Sequence, residues 1–169
     1  MLPKRQSQNK GMSNNQVNRI LRRAKIKHFR GVYSCNNIPK ILPKNIQKSF
    51  SLIINLSKIN TIGTHFISLI YNNKTLLYLD PLALNFTIHN YINEFILTLP
   101  SKTKLIFINK PIQDVNSDYC GLFCIFFVLY FSEKYDFNNK NKIIPFRQKK
   151  LAVNDKICEK NVKTLLLHV

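Results

Sequence analysis

The sequence predicts an α+β fold, with helices packed around a small mixed or antiparallel β-sheet and a buried central helix. Three features point there. A helical stripe lies near the start, short apolar runs bounded by turn residues follow, and Tyr119–Phe131 is apolar but for one glycine. A helix of that length is too short for a hydrocarbon layer of ~30 Å, which needs about 20 residues, and no other stretch comes closer. The run therefore predicts a buried helix and no transmembrane segment.

Taken in order, residues 1–13 are polar, contain Pro3 and Gly11, and read as a flexible basic arm. Residues 14–169 read as one domain. Ser13 is placed to cap a helix whose apolar residues Val17, Ile20, Leu21 and Ala24 recur at helical spacing. Arg19, Arg22, Arg23 and Lys25 fall off that stripe. Gly31, Asn36-Asn37, Pro39 and Pro43 mark a loop through about residue 47. Ser51–Leu56, His65–Tyr71, Leu76–Asp80 and Leu105–Ile108 read as strands, the middle two joined as a hairpin at Asn72-Asn73. Ile88, Tyr91, Ile92, Phe95 and Ile96 give helical spacing over residues 87–98, closed by Pro100. Residues 138–150 read as a basic loop and 154–167 as a closing helix.

Composition bounds the function. The chain has 169 residues, a net charge of +18 and four cysteines. That length buries a core without staples, the cysteines are too sparse for a disulfide scaffold, and no secretory signal stands out. Free thiols in a reducing compartment are expected. Residues 1–30 hold nine basic and no acidic residues, 31–130 hold eight and four, and 131–169 hold nine and four. An AT-rich genome accounts for abundant Lys, Asn and Ile, but not for charge concentrated at the ends. Basic termini fit a polyanion-facing surface or a solubilising tail.

The chemistry points to the centre. Cys120 opens the apolar helix, where the macrodipole and free N–H groups favour a thiolate. Gly121 beside it permits close approach of a backbone or substrate. Cys124, one turn deeper, reads as a small buried hydrophobe. Of the four histidines, His65 follows Gly63-Thr64 and opens an apolar strand, a rigid support for a base. A hairpin centred on Asn72-Asn73 sets Asp80 directly opposite His65, near enough to orient an imidazole. The Cys120 N–H and the side chain of Gln113, seven residues upstream, are candidate oxyanion donors.

Together, Gly63-Thr64-His65-Phe66, Tyr78-Leu79-Asp80-Pro81, Gln113 and Ser117-Asp118-Tyr119-Cys120-Gly121-Leu122-Phe123-Cys124 resemble the adenovirus protease (adenain) family, whose wider clan includes the SUMO-specific proteases. The resemblance extends over roughly residues 14–132. It implies a papain-like site in permuted order, with Cys120 as nucleophile, His65 as base and later acid, Asp80 as orienter and Gln113 as oxyanion donor. Gly63, Thr64, Phe66 and Gly121 then fall in the substrate-binding region. It implies cleavage of viral structural precursors after small residues such as Gly, in virions and the viral factories of host cells. No cofactor is required for such chemistry, while DNA and a short viral peptide are activating partners in the family. The basic termini, with Arg19, Arg22, Arg23 and Lys25, are the expected nucleic-acid surface, and a monomer is expected. The compact size and AT-rich composition are similar to virophage or Polinton-type members. Three departures stand out: Phe66 replaces the usual Trp, Leu82-Ala83 replaces an expected Gly after Asp80-Pro81, and the C-terminal region is short.

Other classes fit less well. Cys35 and Cys158 lie far in sequence from the Cys120/Cys124 pair and no C-x2-C or H-x3-H pair exists, which argues against zinc, and no serine elbow, P-loop or dinucleotide fingerprint appears. A basic DNA-binding virion protein explains the charge but not the four-part constellation. A deconjugase of ubiquitin-like modifiers would share the site, since those substrates also end in Gly-Gly.

Overall fold

The computed structural model describes residues 11–38, 49–61, 63–84, 89–108, 110–133, 146 and 149–167. The basic arm up to residue 10, the proline loop from residue 39, Ile88, most of the 138–150 segment and His168 lie outside them.

Helix α1 (Asn14–Arg23) begins with a reciprocal cap. The Gln16 N–H donates to Ser13 Oγ at 3.3 Å, and the Ser13 N–H donates to Gln16 Oε1 at 2.7 Å. Val17 and Leu21 are buried on its inner face, while Arg22 and Arg23 occupy the last turn, where positive charge suits the helix dipole.

The segment after α1, expected to be a loop from Gly31 onward, is instead strand β1 (Phe29–Ser34), followed by a short 3₁₀ turn at Cys35–Asn37. Gly31 is the reason for the difference. It sits at φ 143° where the register slips between Phe29 and Gly31, so the glycine serves an irregularity within a strand rather than a turn. Strands β2 (Ser49–Asn55), β3 (Phe66–Asn72), β4 (Thr75–Leu79) and β5 (Lys104–Phe107) complete a five-stranded sheet in the order β1-β2-β3-β4-β5. The outer pairs are parallel and the two inner pairings antiparallel.

The hairpin register also differs from the expected one. Asn72 pairs with Thr75 across a two-residue turn, Asn73-Lys74, with φ of 43° and 65°. Positive φ at both positions is the turn that matches strand twist. The ladder is thereby displaced by two residues, and Ser68 faces Leu79. His65 and Asp80 lie just beyond the last pair, as diagonal rather than direct neighbours. A shift of one residue would have sent their side chains to opposite faces, but a shift of two keeps them together.

Alternate residues of each strand feed two cores. Ile53, Phe66, Ile70, Leu77 and Leu79 pack with α1, α3 (Cys120–Glu133) and α4 (Leu151–Leu167). Phe50, Leu52, Ile54, Ile67, Leu69 and Leu76 face the other way, onto Ile92 and Phe95 of α2 (Asn90–Leu97). Helices thus cover both faces of the central strands, which explains their nearly continuous apolar sequences. The apolar α3 lies against β3 between α1 and α4, so it has no polar face to give to solvent. Among the described residues, no helix is long and apolar enough to cross a membrane.

Candidate active site

His65 stands one residue before β3, and the chain around it is tightly tied. Its carbonyl accepts from the Leu56 N–H at 2.8 Å. The preceding Thr64 N–H donates to Ser57 Oγ at 3.0 Å, and the two hydroxyls of Ser57 and Thr64 are 2.9 Å apart. Gly63 passes so close to Asn55 that a Cβ there would come within 2.7 Å of the amide nitrogen. That amide donates to Asn14 Oδ1 at 2.8 Å, while its oxygen accepts from the Ser57 N–H at 3.0 Å. Asn55 therefore links the start of α1 to the loop that presents His65.

Asp80 follows β4 directly. Its Oδ1 accepts from His65 Nε2 at 2.6 Å and from the Leu82 N–H at 2.9 Å. Its Oδ2 accepts from the Leu84 N–H at 3.1 Å. Both oxygens are thus fixed, and His65 and Asp80 are only 6% and 5% exposed. Burial alone would lower the proton affinity of His65. The hydrogen bond to Asp80, the neighbouring Cys120 and the charges of the same two groups outweigh it, and the pKa is raised to about 9. With Nε2 committed to Asp80, Nδ1 makes no hydrogen bond of standard geometry and is the nitrogen left for the thiol side. An imidazolium held there supplies the positive charge that stabilises a thiolate.

Cys120 is the first residue of α3 and is partly exposed. Its N–H lies in the first helical turn, which has no intrahelical acceptor. Gln113, 1% exposed, donates from Nε2 to the Ser117 carbonyl at 2.7 Å. A carbonyl only accepts, so this contact fixes which end of the amide is nitrogen and leaves the second N–H of that nitrogen for another acceptor. The Gln113 backbone is held by the acid's own turn, because the Pro81 carbonyl accepts from the N–H groups of Ile112 at 2.9 Å and Gln113 at 3.1 Å.

His65, Gln113 and Cys120 line one cleft of about 640 Å³, together with Gly63, Thr64 and Phe66. Gly121 does not line it. Its absent side chain makes room for Met12 and Val17 of the same chain and for Phe66, at 3.2, 3.4 and 3.5 Å from where a Cβ would lie. A close approach at Gly121 is thus made by the protein itself. Gly11 and Met12, read from sequence as the end of the arm, belong to the cleft wall. Arg19, Arg22 and Arg23 on α1 and Lys25 just after it are exposed and do not line the cleft, and Arg22 donates to the Arg30 carbonyl at 3.3 Å. Among the described histidines, only His65 lines the cleft. Cys35, Cys124 and Cys158 are buried, and burial pushes the thiols of Cys124 and Cys158 up. Among the described residues, no three His, Cys, Asp or Glu side chains gather as a metal site.

Two polar residues near the site were not singled out from the sequence. Asn154 and Asp155 are almost fully buried at the start of α4 and bond to the Gln113 loop. A signal did exist, since Asp155, Cys158 and Val162 recur at i, i+3 and i+7 and place the carboxylate on the helix's inner face.

A permuted papain-like fold of this kind, with a thiol at the head of its buried helix beside a charged histidine, belongs to a cysteine protease. Residues 29–168 match the family model of the adenovirus endoprotease. The chain is a member of that family. Among solved structures, it is similar to the SUMO protease Ulp1 with its catalytic cysteine oxidized to a sulfinic acid (TM-score 0.50, 13% identity), covering 95% of this chain and 81% of that one. It is also similar to Ulp1 with the cysteine oxidized to a sulfenic acid (TM-score 0.40, 17% identity), covering 90% of this chain and 62% of that one. A third is the Chlamydia abortus effector protein ChlaDUB (TM-score 0.42, 15% identity), covering 82% and 66% respectively. No curated protein matches by sequence.

Proposed function

We propose that this chain is an endopeptidase that cleaves viral structural precursor proteins after small residues such as Gly during virion maturation. The observation that carries the reading is the buried 2.6 Å contact between His65 and Asp80, with Cys120 beside the same ring. The Cys120 thiolate attacks the scissile carbonyl, and the new oxyanion accepts from the Cys120 N–H and the free N–H of Gln113. His65, charged at neutral pH, passes its proton to the leaving amine, and an acyl-enzyme remains. His65, now neutral, takes a proton from water, which releases the acid and restores the thiolate. Asp80 holds the ring and its charge throughout. Gly63, Thr64 and Phe66 bind substrate from the cleft wall.

The enzyme works as a monomer in virions and viral factories, in a reducing compartment that keeps Cys120 a thiol. It needs no cofactor for the chemistry. The exposed Arg19, Arg22, Arg23 and Lys25 hold it on nucleic acid through phosphates, with the basic arm of residues 1–13. Replacing these four should flatten the log-log salt dependence of DNA binding by about 0.9 per lost duplex contact. Binding insensitive to salt would contradict that role.

The test of activity is incubation with a capsid precursor of a virus encoding the protein. Cys120→Ala should abolish cleavage while leaving the fold intact, and undiminished cleavage would overturn the assignment. Cleavage of SUMO or ubiquitin conjugates, with the precursor left whole, would instead identify a deconjugase.

A further inference from the structure

We propose that Asn154 and Asp155, at the start of α4, are positioning residues that hold Gln113 in place for the oxyanion. The inference rests on the proposed role of Gln113 and adds the part of the chain that supports it. Three consecutive residues of the loop are gripped from outside it. The N–H groups of Ile112 and Gln113 go to the Pro81 carbonyl, at 2.9 and 3.1 Å. The Ile112 carbonyl accepts from Asn154 Nδ2 at 3.0 Å, and the Asp114 N–H donates to Asp155 Oδ1 at 3.3 Å. Gln113 thus sits between two neighbours that α4 holds, while its own N–H is held by the turn after β4.

The two grips are not redundant. Pro81 offers a single carbonyl, about which the loop can pivot. The α4 contacts lie at the residues before and after Gln113 and remove that pivot. The Asn154 contact is buried and the Asp155 contact partly so, with Asn154 1% and Asp155 5% exposed, so water does not readily replace the first. Asp155 bears a cost for this position, because burial pushes its carboxyl up, while hydrogen bonds from Ser117 and the Asp114 N–H pull it back. A buried carboxylate spent on a loop backbone is an expensive way to fix a loop of no consequence. It is well used if the loop must hold an amide to within a fraction of an ångström, since a displacement of about 1 Å in a catalytic group costs on the order of 100-fold in rate.

The test compares two readouts on the full chain. Hydrolysis of p-nitrophenyl acetate proceeds when the Cys120 thiolate displaces p-nitrophenolate and water then releases acetate from the thioester, and it uses the oxyanion donors. Inactivation by iodoacetamide forms a carbon–sulfur bond at Cys120 with loss of iodide, and uses the thiol and His65 alone. Asn154→Ala and Asp155→Ala should each lower kcat for the ester by about 10- to 100-fold with KM nearly unchanged, as should Gln113→Ala. The iodoacetamide rate should stay the same in all three. Asp155→Asn, which keeps an oxygen for the Asp114 N–H, should recover most of the lost rate. Gln113→Ala combined with Asp155→Ala should be no slower than Gln113→Ala alone. Equal losses in both readouts, or full additivity in the double variant, would overturn the proposal. If Gln113→Ala slows the ester and the α4 variants do not, the α4 proposal fails and the role of Gln113 stands. If Gln113→Ala has no effect while Cys120→Ala is inactive, the role of Gln113 fails, and the α4 proposal with it.

Discussion

Asp80→Asn isolates the charge that holds His65 protonated. The native ring titrates at about 9 rather than 6.5, which corresponds to roughly 3 kcal/mol of preference for the imidazolium after burial has been overcome. Asparagine keeps one oxygen near Nε2 but removes the negative charge, so burial then works with little opposition except from Cys120. The His65 midpoint should fall by about two pH units or more, to near or below 6.5. It also leaves one acceptor oxygen where Asp80 has two, so the Leu82 or Leu84 N–H loses its partner. NMR titration of the His65 ring reads the midpoint directly. Peptide cleavage reads the consequence, and kcat/KM at neutral pH should fall about 100-fold if that 3 kcal/mol is needed in the transition state. Stability should follow the same shift. Because the folded value lies above 6.5, the contact stabilises the native protein fully below pH 6.5, and this contribution is lost as pH rises through about 9. In Asp80→Asn that slope of stability between pH 6.5 and 9 should largely disappear. A His65 midpoint still near 9 in the variant would refute the reasoning, as would a native midpoint near 6.5.

Three other outcomes can be measured independently. Iodoacetamide at neutral pH should modify Cys120 first and stop cleavage, because Cys35, Cys124 and Cys158 are buried, and peptide mass spectrometry that finds Cys35 or Cys158 reacting first with activity retained would contradict this. Ala83 adopts φ 47°, so Ala83→Gly should stabilise the fold by about 0.5–1 kcal/mol in urea unfolding, and a loss of stability would show that the turn does not hold this conformation in solution. Gly63→Ala should destabilise by about 1–2 kcal/mol in the same experiment, because the new Cβ, 2.7 Å from Asn55 Nδ2, displaces the amide that ties Asn14 to the His65 loop.

Much of this was legible because local rules and tertiary structure agree. The stripe of Val17 and Leu21 did become the buried face of α1, and most of the apolar run from Tyr119 did become the largely buried helix α3. Strand β1 was missed because Gly31 carries the signature of a turn while serving a slip in register. The hairpin was misplaced because Asn72-Asn73 looks a better turn than Asn73-Lys74, and only the cross-strand pairing decides between them. The structure brings His65 and Asp80 into contact despite that error, since a two-residue displacement preserves the face. The support of Gln113 was only partly legible. Spacing puts Asp155 on the inner face of α4, but the groups that Asn154, Asp155 and Pro81 hold are backbone groups of Ile112, Gln113 and Asp114, which carry no residue-specific trace in the sequence.

The order in which these parts leave the ribosome has its own consequence. His65, Asp80, Gln113 and Cys120 are all made before α4, yet the loop carrying Gln113 is completed by Asn154 and Asp155. A nascent chain that has exposed its thiol and histidine still lacks part of the frame around Gln113. On the roles proposed above, proteolytic competence waits for α4, and a chain that stalls before α4 is a poor protease.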